Sequence, residues 1–446
     1  MSPTKPPHLL YVAWGFPPSR SSGVYRALAT ANAFARAGWR VTVLTTTRET
    51  YVGSSGIDAS LESQVDDSID IVRIPHEAPV YQNDLTRWPR ARAHFPEFWS
   101  VVRNRLDRRG FPEAVFGNWR GPLVDAAITI QEADPIDLVV ATASPYVDFT
   151  PALALREKYG VPFVADYRDA WQLNVFTGER LTAPGSPIAR IESGLVGAAH
   201  EIWFVNEPIR RWHQKLYPDV AERMFVVANG YDPEFARFSN SVRQGRDDGL
   251  VFGYIGTISK RAPMRELFEA WRDARSSDPR LANARLALHG YIEFGGIPSQ
   301  PLLDLFEQYR DDGVEFFGPV SKADIAKTYD SFDALVLVLA EGEYVTSGKV
   351  FEYVATGLPI VSVHDPRSAA SSLLADYPAW APTADLEPQS IAAALGRGAG
   401  LALEQTPASR GAAREWAKPL ERSNQLAPRV AALAEFVADR TESAHA

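Results

Sequence analysis

The chain contains no cysteine among its 446 residues. Disulfides, thiolate zinc sites, iron–sulfur clusters and cysteine nucleophiles are therefore all excluded. No window approaches the ~18 consecutive apolar residues that a membrane-spanning helix requires. The first residues, "MSPTKPPHLLYVAWG", show no cleavage pattern of a signal peptide. We therefore expect a cytoplasmic protein.

Basic residues are in the minority, with 46 Lys and Arg against 55 Asp and Glu and a net charge of −9. Neutralising the phosphates of a nucleic acid requires a basic face, so we expect no nucleic-acid partner. An anionic ligand would need a local cationic pocket. The length predicts two domains, and the hydrophobic fraction of 46% is that of a globular protein.

Short β-branched runs alternate with helical patterns along most of the chain. This alternation is typical of an α/β protein with parallel, doubly wound sheets. The first series of strands is "HLLYVAWG", "RVTVLTT", "DLVVAT", "VPFVAD", "EIWFVN" and "MFVVAN". The second series is "LVFGYIG", "ARLALHG", "VEFFG", "DALVLVLA" and "LPIVSV". Helices are predicted at 23–38, 264–276 and 323–331.

A polar, charged stretch without an apolar period separates the two series at 236–249. We interpret it as a linker between an N-terminal domain at 1–235 and a C-terminal domain at 250–418. The end of the chain, 419–446, contains an amphipathic helix that could pack back on the N-terminal domain.

The segment 85–121 departs from this alternation because it interleaves arginines with Trp and Phe in an otherwise acidic chain. One interpretation is a peripheral membrane surface, at the inner membrane face, whose cations meet anionic headgroups while its aromatic rings enter the interface. The other is a pair of amphipathic helices whose arginine stems cover a packed aromatic face. The sequence leaves both open.

Open parallel sheets bind ligands at the carboxyl ends of their strands, so loops that follow strands are the candidate sites. The first is "WGFPPSRSSGVYR" at 14–26, where Gly23 and Val24 begin a helix whose amides suit an anion. It is not a Gly-x-Gly-x-x-Gly pattern, so a nicotinamide site is not indicated. A plain connecting loop is the alternative.

Two further loops carry charge. In "GYIGTISKRAP", Lys260 and Arg261 could hold a diphosphate, unless they are only solvated surface charges. In "VPFVADYRDAW", Asp166, Arg168 and Asp169 could position an acceptor hydroxyl or accept its proton. An ion-pair network that braces the second loop is the alternative.

The fourth loop, "SGKVFEYVATGLPIV" at 347–361, leads into a helix with Ser347 as the predicted N-cap. Gly357 and a following proline end that helix before the next strand. Lys349 and Glu352 are three residues apart and share a face of the helix. An exposed ion pair between them is the simplest interpretation of the segment by itself.

In this order, and with "ANGYD" at 228–232 and "FFGPVS" at 316–321, the segments resemble retaining glycosyltransferases of the GT-B fold, glycosyltransferase family 4. The last loop is similar to the family pattern Lys-Leu-Phe-Glu-Tyr-Leu-Ala-x-Gly-x-Pro. The resemblance implies two Rossmann-like domains that face each other across a cleft. It further implies a nucleoside-diphosphate sugar held by the C-terminal domain, a hydroxyl acceptor held by the N-terminal one, and neither a metal ion nor another cofactor.

The resemblance also implies roles for individual residues. Glu352 would accept hydrogen bonds from the ribose hydroxyls of the donor. The other implied donor contacts are Ser347, Gly348, Lys349, Gly256, Thr257, Gly318, Val320, Gly23 and Val24, with Arg26 as a further candidate. The implied catalytic set is Arg261, Lys260 and Asp169, of which Arg261 is the preferred diphosphate cation. Sugar or acceptor contacts are expected from Asp166, Arg168, Ser144, Glu343 and Tyr344.

Three departures from the family pattern concern the site. Tyr344 stands where many members have a first glutamate, and Glu341 and Glu343 are out of register with it. Thr257 stands where an arginine is frequent. The segment "ATASPYVDF" at 141–149 lacks the histidine that many members have there.

The function implied is transfer of a sugar to a glycan, lipid-linked or secondary-metabolite hydroxyl, with retention of anomeric configuration. The sequence singles out no carboxylate as a nucleophile, which favours attack on the same face as the leaving diphosphate. One alternative is a catalytically inactive protein that binds nucleotide sugars or partners an active transferase. Another is an enzyme of the epimerase type that acts on a nucleotide sugar without transfer.

Overall fold

The computed structural model describes residues 5–82, 84–233, 238–239, 241–243, 248–293, 299–321, 324–340 and 342–445. The chain forms two compact units. The first comprises Met1–Leu173, Arg180–Ala228 and Leu426–Ala446, and the second comprises Asn174–Glu179 and Asn229–Gln425. The division at Ala228 lies before the expected domain end at 235. Much of the expected linker, at 236–237, 240 and 244–247, lies outside the described residues.

The first unit is built on a parallel sheet of seven strands in the order β3-β2-β1-β4-β5-β6-β7. The strands are β1 His8–Val12, β2 Arg40–Thr46, β3 Ile69–Ile74, β4 Leu138–Ala143, β5 Phe163–Tyr167, β6 Glu201–Phe204 and β7 Met224–Val226. Leu10 of β1 lies opposite Thr42 of β2 and Val139 of β4, so β1 is an interior strand of the sheet. The sequence patterns missed β3, an edge strand with only one fully buried residue.

Eight helices of the first unit follow its strands or connect them. They are α1 Val24–Arg36, α2 Arg48–Gly53, α3 Arg90–His94, α4 Pro96–Asp107, α5 Arg120–Ala133, α6 Thr150–Tyr159, α7 Pro187–Ala198 and α8 Glu207–Leu216. Helix α1 packs Ala27, Ala31 and Phe34 against the sheet because these residues share one face at a spacing of three and four.

The second unit has a parallel sheet of six strands in the order β10-β9-β8-β11-β12-β13. The strands are β8 Val251–Ile255, β9 Arg285–His289, β10 Val314–Gly318, β11 Ala334–Val338, β12 Ile360–Val363 and β13 Trp380–Ala381. Its helices are α9 Met264–Ser277, α10 Gln300–Gln308, α11 Ile325–Asp330, α12 Gly348–Thr356, α13 Ala369–Leu374, α14 Pro388–Glu404 and α15 Pro407–Ala417. The two sheets confirm the predicted α/β class with doubly wound parallel sheets.

The last helix, α16, spans Arg422–His445. From Leu426 onwards it belongs to the first unit. Leu426, Val430, Leu433 and Val437 are buried in the core of that unit, beside Trp39 and Val227 among others. Their spacing of three and four places them on one face of the helix, which explains why this stretch of the chain is amphipathic.

Three glycines close neighbouring strands at the carboxyl edge of the second sheet: Gly256 after β8, Gly290 after β9 and Gly318 in β10. All have positive φ, at +155°, +139° and +71°. The Gly256 amide donates to the His289 carbonyl at 2.8 Å, and the Gly290 amide donates to the Gly318 carbonyl at 2.8 Å. A Cβ at Gly290 would lie 1.8 Å from the Gly256 carbonyl oxygen, so only glycine permits this approach.

Candidate functional site

Helix α12 of the second unit begins as the sequence predicts. Ser347 is the N-cap, and its hydroxyl accepts the Lys349 amide at 3.3 Å. Val350, Phe351 and Val354 are completely buried, and Gly357, at φ +71°, ends the helix. The opposite face of α12 carries Lys349 and Glu352 beside the carboxyl edge of the sheet.

The Lys349 side chain crosses the loop that follows β8. A Cβ at Gly256 would lie 1.8 Å from Lys349 Cε, so glycine is required where the lysine stem passes. The ammonium donates to the Tyr254 hydroxyl and, at 3.4 Å, to the Thr257 carbonyl. Tyr254 in turn donates to that same carbonyl at 2.8 Å. Burial lowers the pKa of Lys349 to about 8, although the nearby Glu352 carboxylate acts in the opposite direction.

Glu352 keeps contact with solvent, yet surrounding protein partly desolvates its carboxylate. Desolvation raises the pKa of Glu352, while the Lys349 charge and the hydrogen bond from Tyr329, at 3.4 Å, oppose that rise. Within the described part of the chain no ion pair of 4.0 Å or less joins Glu352 to Lys349. The exposed ion pair expected between them is therefore not formed. The Lys349 ammonium donates to the Tyr254 hydroxyl instead, and the Glu352 carboxylate accepts from the Tyr329 hydroxyl.

Lys260 and Arg261 are both exposed. The Lys260 amide donates to Glu293 at 2.5 Å, and the Arg261 guanidinium lies 4.4 Å from the ring centre of Phe176. Lys349, and not this pair, supplies the ammonium that contacts the Gly256–Thr257 turn. The assignment of Lys260 and Arg261 to a diphosphate stays a prediction.

The remaining donor-side residues lie at other strand ends of the second unit. Gly318 ends β10, with Val320 two residues further on, and the neighbouring Phe317 ring is 57% exposed and stacks on His289 at 4.8 Å. Glu343 is exposed, and Tyr344 is half-buried with its ring 3.1 Å from the position of a Cβ on Gly178. Glu341 lies outside the described residues. Their contacts with a sugar remain predictions.

In the first unit, the loops after β1, β4 and β5 surround a cavity of 140 Å³. Trp14, Gly23, Phe116, Ser144, Asp148 and Arg168 line it among others. The structure thus brings together three of the loops that the sequence singled out. Gly23 and Val24 lie at the start of α1, as predicted, and a Cβ at Gly23 would lie 2.2 Å from a guanidinium nitrogen of Arg168.

Ser144, Arg168 and Asp169 form a polar group at this cavity. The Arg168 guanidinium pairs with Asp169 at 3.0 Å and donates to the Ser144 hydroxyl at 3.4 Å. Ser144 donates to Asp169 at 3.2 Å. Asp169 is more than half exposed, so it stays accessible to a ligand.

Asp166 requires a correction. It is completely buried, and both of its oxygens accept from Arg26 at 2.6–3.1 Å. Arg26 is also buried and donates to the Val227 carbonyl at 2.9 Å. Asp166 is therefore a bracing residue and not an acceptor contact, and Arg26 does not reach a phosphate. An ion pair does brace this loop, but Asp166 pairs with Arg26 and not with Arg168.

Sequence patterns missed two carboxylates of the first unit. Asp148 is completely buried; its Oδ2 accepts the Trp14 amide at 2.7 Å, while its Oδ1 has no hydrogen-bond partner among the described residues. Burial and the charge of Glu113 raise the pKa of Asp148 well above its usual range. Glu113 accepts the Tyr146 and Val147 amides at 3.1 and 2.9 Å, and burial raises its pKa to about 7. Asp148 lies in the segment "ATASPYVDF", but nothing in that pattern marks it.

The segment 85–121 combines features of both interpretations. Arg92 is buried, with its guanidinium 3.8 Å from the Trp88 ring and 5.2 Å from the Trp99 ring. We call the exposed apolar side chains around α4 the α4 surface: Leu85, Phe95, Phe98, Val101, Val102 and Leu106. Phe98 is 70% exposed and Val101 is 66% exposed. Among the described residues, no helix combines the length and the apolar character needed to cross a bilayer.

Side chains suited to metal binding are dispersed. The described part of the chain contains no group of three or more histidine, aspartate and glutamate side chains arranged to hold a metal ion.

Comparison with protein families gives a match within the second unit. Residues 249–397 match the family model described as glycosyl transferases group 1. No curated protein sequence matches the chain.

Solved structures match nearly the whole chain at low identity. HepE of Anabaena in complex with UDP has a TM-score of 0.63 at 15% identity, covering 96% of this chain and 100% of its own. A glycosyltransferase from Rickettsia africae has a TM-score of 0.62 at 12% identity, covering 97% and 99%. The α,α-trehalose 6-phosphate synthase of Burkholderia multivorans has a TM-score of 0.62 at 14% identity, covering 98% and 99%. These similarities confirm the GT-B fold of this chain.

Proposed function

We propose that this chain moves a sugar from a nucleoside diphosphate to a hydroxyl acceptor with retention and without a metal ion, because residues 249–397 match the family model described as glycosyl transferases group 1. Uridine diphosphate is the first nucleotide to test, since the similar HepE binds UDP. The second unit holds the donor in this proposal, and the cavity of the first unit holds part of the acceptor.

The observation that carries this proposal is the pairing of Lys349 and Glu352 with different partners on one face of α12. The Lys349 ammonium is turned to the glycine turn after β8, and the Glu352 carboxylate is held by Tyr329 with contact to solvent. One face of a short helix thus offers a cation for phosphate oxygens and a carboxylate for hydroxyl donors. A nucleoside diphosphate carries both kinds of group.

In the proposed reaction the bond between the sugar C1 and the diphosphate oxygen breaks, and a bond from the acceptor oxygen to C1 forms on the same face. The acceptor proton passes to an oxygen of the leaving diphosphate. The protein contributes charge stabilisation of that diphosphate and orientation of the acceptor. Asp169, the accessible carboxylate beside Ser144, orients the acceptor hydroxyl.

The proposal is tested by incubating the chain with UDP- and GDP-sugars in the presence of EDTA and measuring release of the nucleoside diphosphate. Release that depends on an added hydroxyl acceptor, with a new glycoside detected by mass spectrometry, supports transfer. Isomerisation of the nucleotide sugar without acceptor would instead indicate chemistry of the epimerase type. Saturable binding without any turnover would indicate an inactive binding protein.

The α4 surface supports a further part of the proposal, namely that the acceptor is presented at an anionic lipid surface. Six exposed arginines lie within the segment 85–121: Arg87, Arg90, Arg105, Arg108, Arg109 and Arg120. In a chain of net charge −9, this local excess of cations beside exposed Phe98 and Val101 complements anionic headgroups. Apolar rings enter the interface while the arginines contact phosphates.

A further inference from the structure

A buried carboxyl group with an unused oxygen lines the cavity of the first unit. Asp148 is completely buried and is one of the lining residues. Its Oδ2 accepts the Trp14 amide at 2.7 Å, whereas its Oδ1 has no hydrogen-bond partner among the described residues. A buried polar atom without a partner costs stability, so such atoms normally have one. Because protein encloses Asp148 elsewhere, a partner for Oδ1 has to come through the cavity.

The size of the cavity limits what that partner is. Its volume of 140 Å³ is well above the ~10–15 Å³ that a single water molecule needs. It is also well below the ~300 Å³ at which sites for drug-sized molecules begin. A cavity of this volume suits one small ring of a larger ligand.

Aromatic rings form the apolar part of the cavity wall. Phe116 is half-buried, and the Trp14 ring meets it edge-on with ring centres 5.5 Å apart. The indole N–H of Trp14 donates to His76 at 3.0 Å, so its polar atom is already engaged. Small-molecule sites typically combine such apolar walls with a few placed polar groups.

The backbone before Phe116 is held in an unusual conformation. Val115 has a φ of +70°, which is rare for a β-branched residue. Its carbonyl accepts from His76 at 3.1 Å, which fixes the loop in this conformation. Backbone strain of this kind concentrates at functional sites. It is here next to the residue that forms the cavity wall.

The charges at the cavity favour an uncharged ligand. Arg168 is the one basic residue among the described lining residues, and Asp169 already pairs with it at 3.0 Å. An anionic ligand would have to compete with Asp169, and a cationic ligand would meet the guanidinium. Burial and the charge of Glu113 raise the pKa of Asp148 well above its usual range, which further disfavours an ammonium ligand.

The neutral form of Asp148 matches a hydroxyl group. Oδ2 already accepts an amide, so the proton of the neutral carboxyl belongs on Oδ1. Oδ1 then donates one hydrogen bond and keeps the capacity to accept another. A hydroxyl group is also both donor and acceptor, so it satisfies this atom fully.

We propose that the cavity binds an uncharged sugar ring of the acceptor, with Asp148 holding one hydroxyl and Phe116 packing on the apolar face of the ring. This inference rests on the proposed function and names its acceptor class as a carbohydrate. Asp169, which bonds to Ser144 and Arg168 at the same cavity, orients the reacting hydroxyl. The acceptor therefore carries at least two hydroxyls on one ring. Asp148 binds and does not take the acceptor proton, which still passes to the diphosphate.

The test is saturation-transfer NMR of the full chain with methyl glucoside, galactoside and mannoside. We expect saturable binding of at least one glycoside, and no displacement of it by inorganic phosphate. Asp148→Leu should weaken this binding by about tenfold, the effect of one lost hydrogen bond. Asp148→Asn should retain it, because the amide nitrogen donates in place of Oδ1 while the amide oxygen accepts from Trp14. Phe116→Ala should also weaken it.

Two controls separate binding from folding. Asp125→Asn changes an exposed carboxylate on α5 and should leave glycoside binding unchanged. Calorimetric binding of UDP should be the same for all variants, because the second unit holds the donor in the proposed function. Where Asp148→Leu does not fold, Asp148→Asn and Phe116→Ala decide the question.

Several outcomes would overturn the inference while the proposed function stands. They are equal glycoside binding by wild type, Asp148→Leu and Phe116→Ala, displacement of the glycoside by phosphate, and transfer to a hydroxyl acceptor that contains no sugar. Equal losses in Asp148→Asn and Asp148→Leu would contradict the neutral, donating carboxyl. Glycoside binding that depends on Asp148, without turnover of any UDP- or GDP-sugar, would support the sugar site and overturn the proposed function.

Discussion

Arg26 donates to both carboxylate oxygens of Asp166 in the interior of the first unit, at 2.6–3.1 Å. Neither side chain is more than 3% exposed. Asp166 is the penultimate residue of the buried strand β5, and Arg26 lies in the first turn of α1. The pair therefore joins a helix start to a strand end just below the cavity-lining loops of that unit.

Removing one partner of this ion pair leaves an uncompensated buried charge. We expect Arg26→Met to lower the free energy of unfolding by about 3–5 kcal/mol, as is typical of broken buried pairs. Asp166→Asn should have a similar effect, and the double variant should lose less than the sum of the two. Urea denaturation of the three variants measures this. Losses within about 1 kcal/mol, the range of surface pairs, would contradict the structural role assigned to Asp166.

Glu113 should make stability depend on pH. Its pKa is raised from 4.5 to about 7, so its contribution is fully present below pH 4.5 and is lost as the pH rises through 7. Glu113→Gln keeps an oxygen that accepts an amide but cannot ionise. We expect the variant to gain stability relative to wild type between pH 5 and pH 8. Urea denaturation at pH 5 and at pH 8 measures the difference in stability between the variant and wild type. The same difference at both pH values would contradict the raised pKa of Glu113.

Glu352→Gln tests the ribose contact. A carboxylate accepts from two hydroxyls at once, and hydrogen bonds to a charged group contribute about 1.5–3 kcal/mol. We expect the variant to bind UDP at least tenfold more weakly. Wild type should likewise prefer UDP to 2′-deoxy-UDP, whereas the variant should discriminate less between them. Undiminished discrimination in the variant would place the ribose elsewhere.

Gly256→Ala should disturb Lys349 specifically. The new Cβ would lie 1.8 Å from Lys349 Cε, at a φ of +155° that disfavours other residues. We expect weaker UDP binding, unchanged uridine binding and a loss of about 1–3 kcal/mol in stability. Adding Lys349→Ala should restore part of the stability and none of the UDP affinity. Gly194→Ala, on the first unit where nothing lies within 4 Å of the new Cβ, is the matched control.

The α4 surface predicts binding to anionic vesicles. Phe98→Ser combined with Val101→Ser should reduce flotation with vesicles rich in phosphatidylglycerol, because both side chains are exposed and make the apolar part of the contact. Binding should also weaken as salt is raised, since the arginines contribute through screened charge. A suitable control is Val52→Ser, which changes an exposed apolar residue on α2. Equal flotation of all variants, or no flotation of the wild type, would contradict membrane binding by the α4 surface.

The alternation of apolar runs predicted most strands of both sheets because buried parallel strands are nearly continuous in hydrophobicity. It missed β3, which is an edge strand with a partly exposed pattern, and β13, which has only two residues. The N-cap Ser347 and the end at Gly357 were predicted because capping chemistry is local. Such signals depend on neighbours in sequence.

The partners of charged residues depend on long-range contacts, and the sequence could not supply these. Arg26 and Asp166 are 140 positions apart, whereas Arg168 and Asp169 are adjacent in sequence. The local Asp–Arg–Asp pattern therefore indicated the Arg168–Asp169 pair but not the partner of Asp166. Lys349 likewise meets Tyr254 across 95 positions. Asp148 and Glu113 acquire raised pKa values only because folding buries them.

The central claim is retaining transfer from a nucleotide sugar. The most direct test is NMR of the glycoside formed from a donor of known anomeric configuration, with the coupling constant at the transferred sugar's C1 recorded for the isolated product. The account predicts the same anomeric configuration in product and donor. An inverted anomeric centre would contradict it.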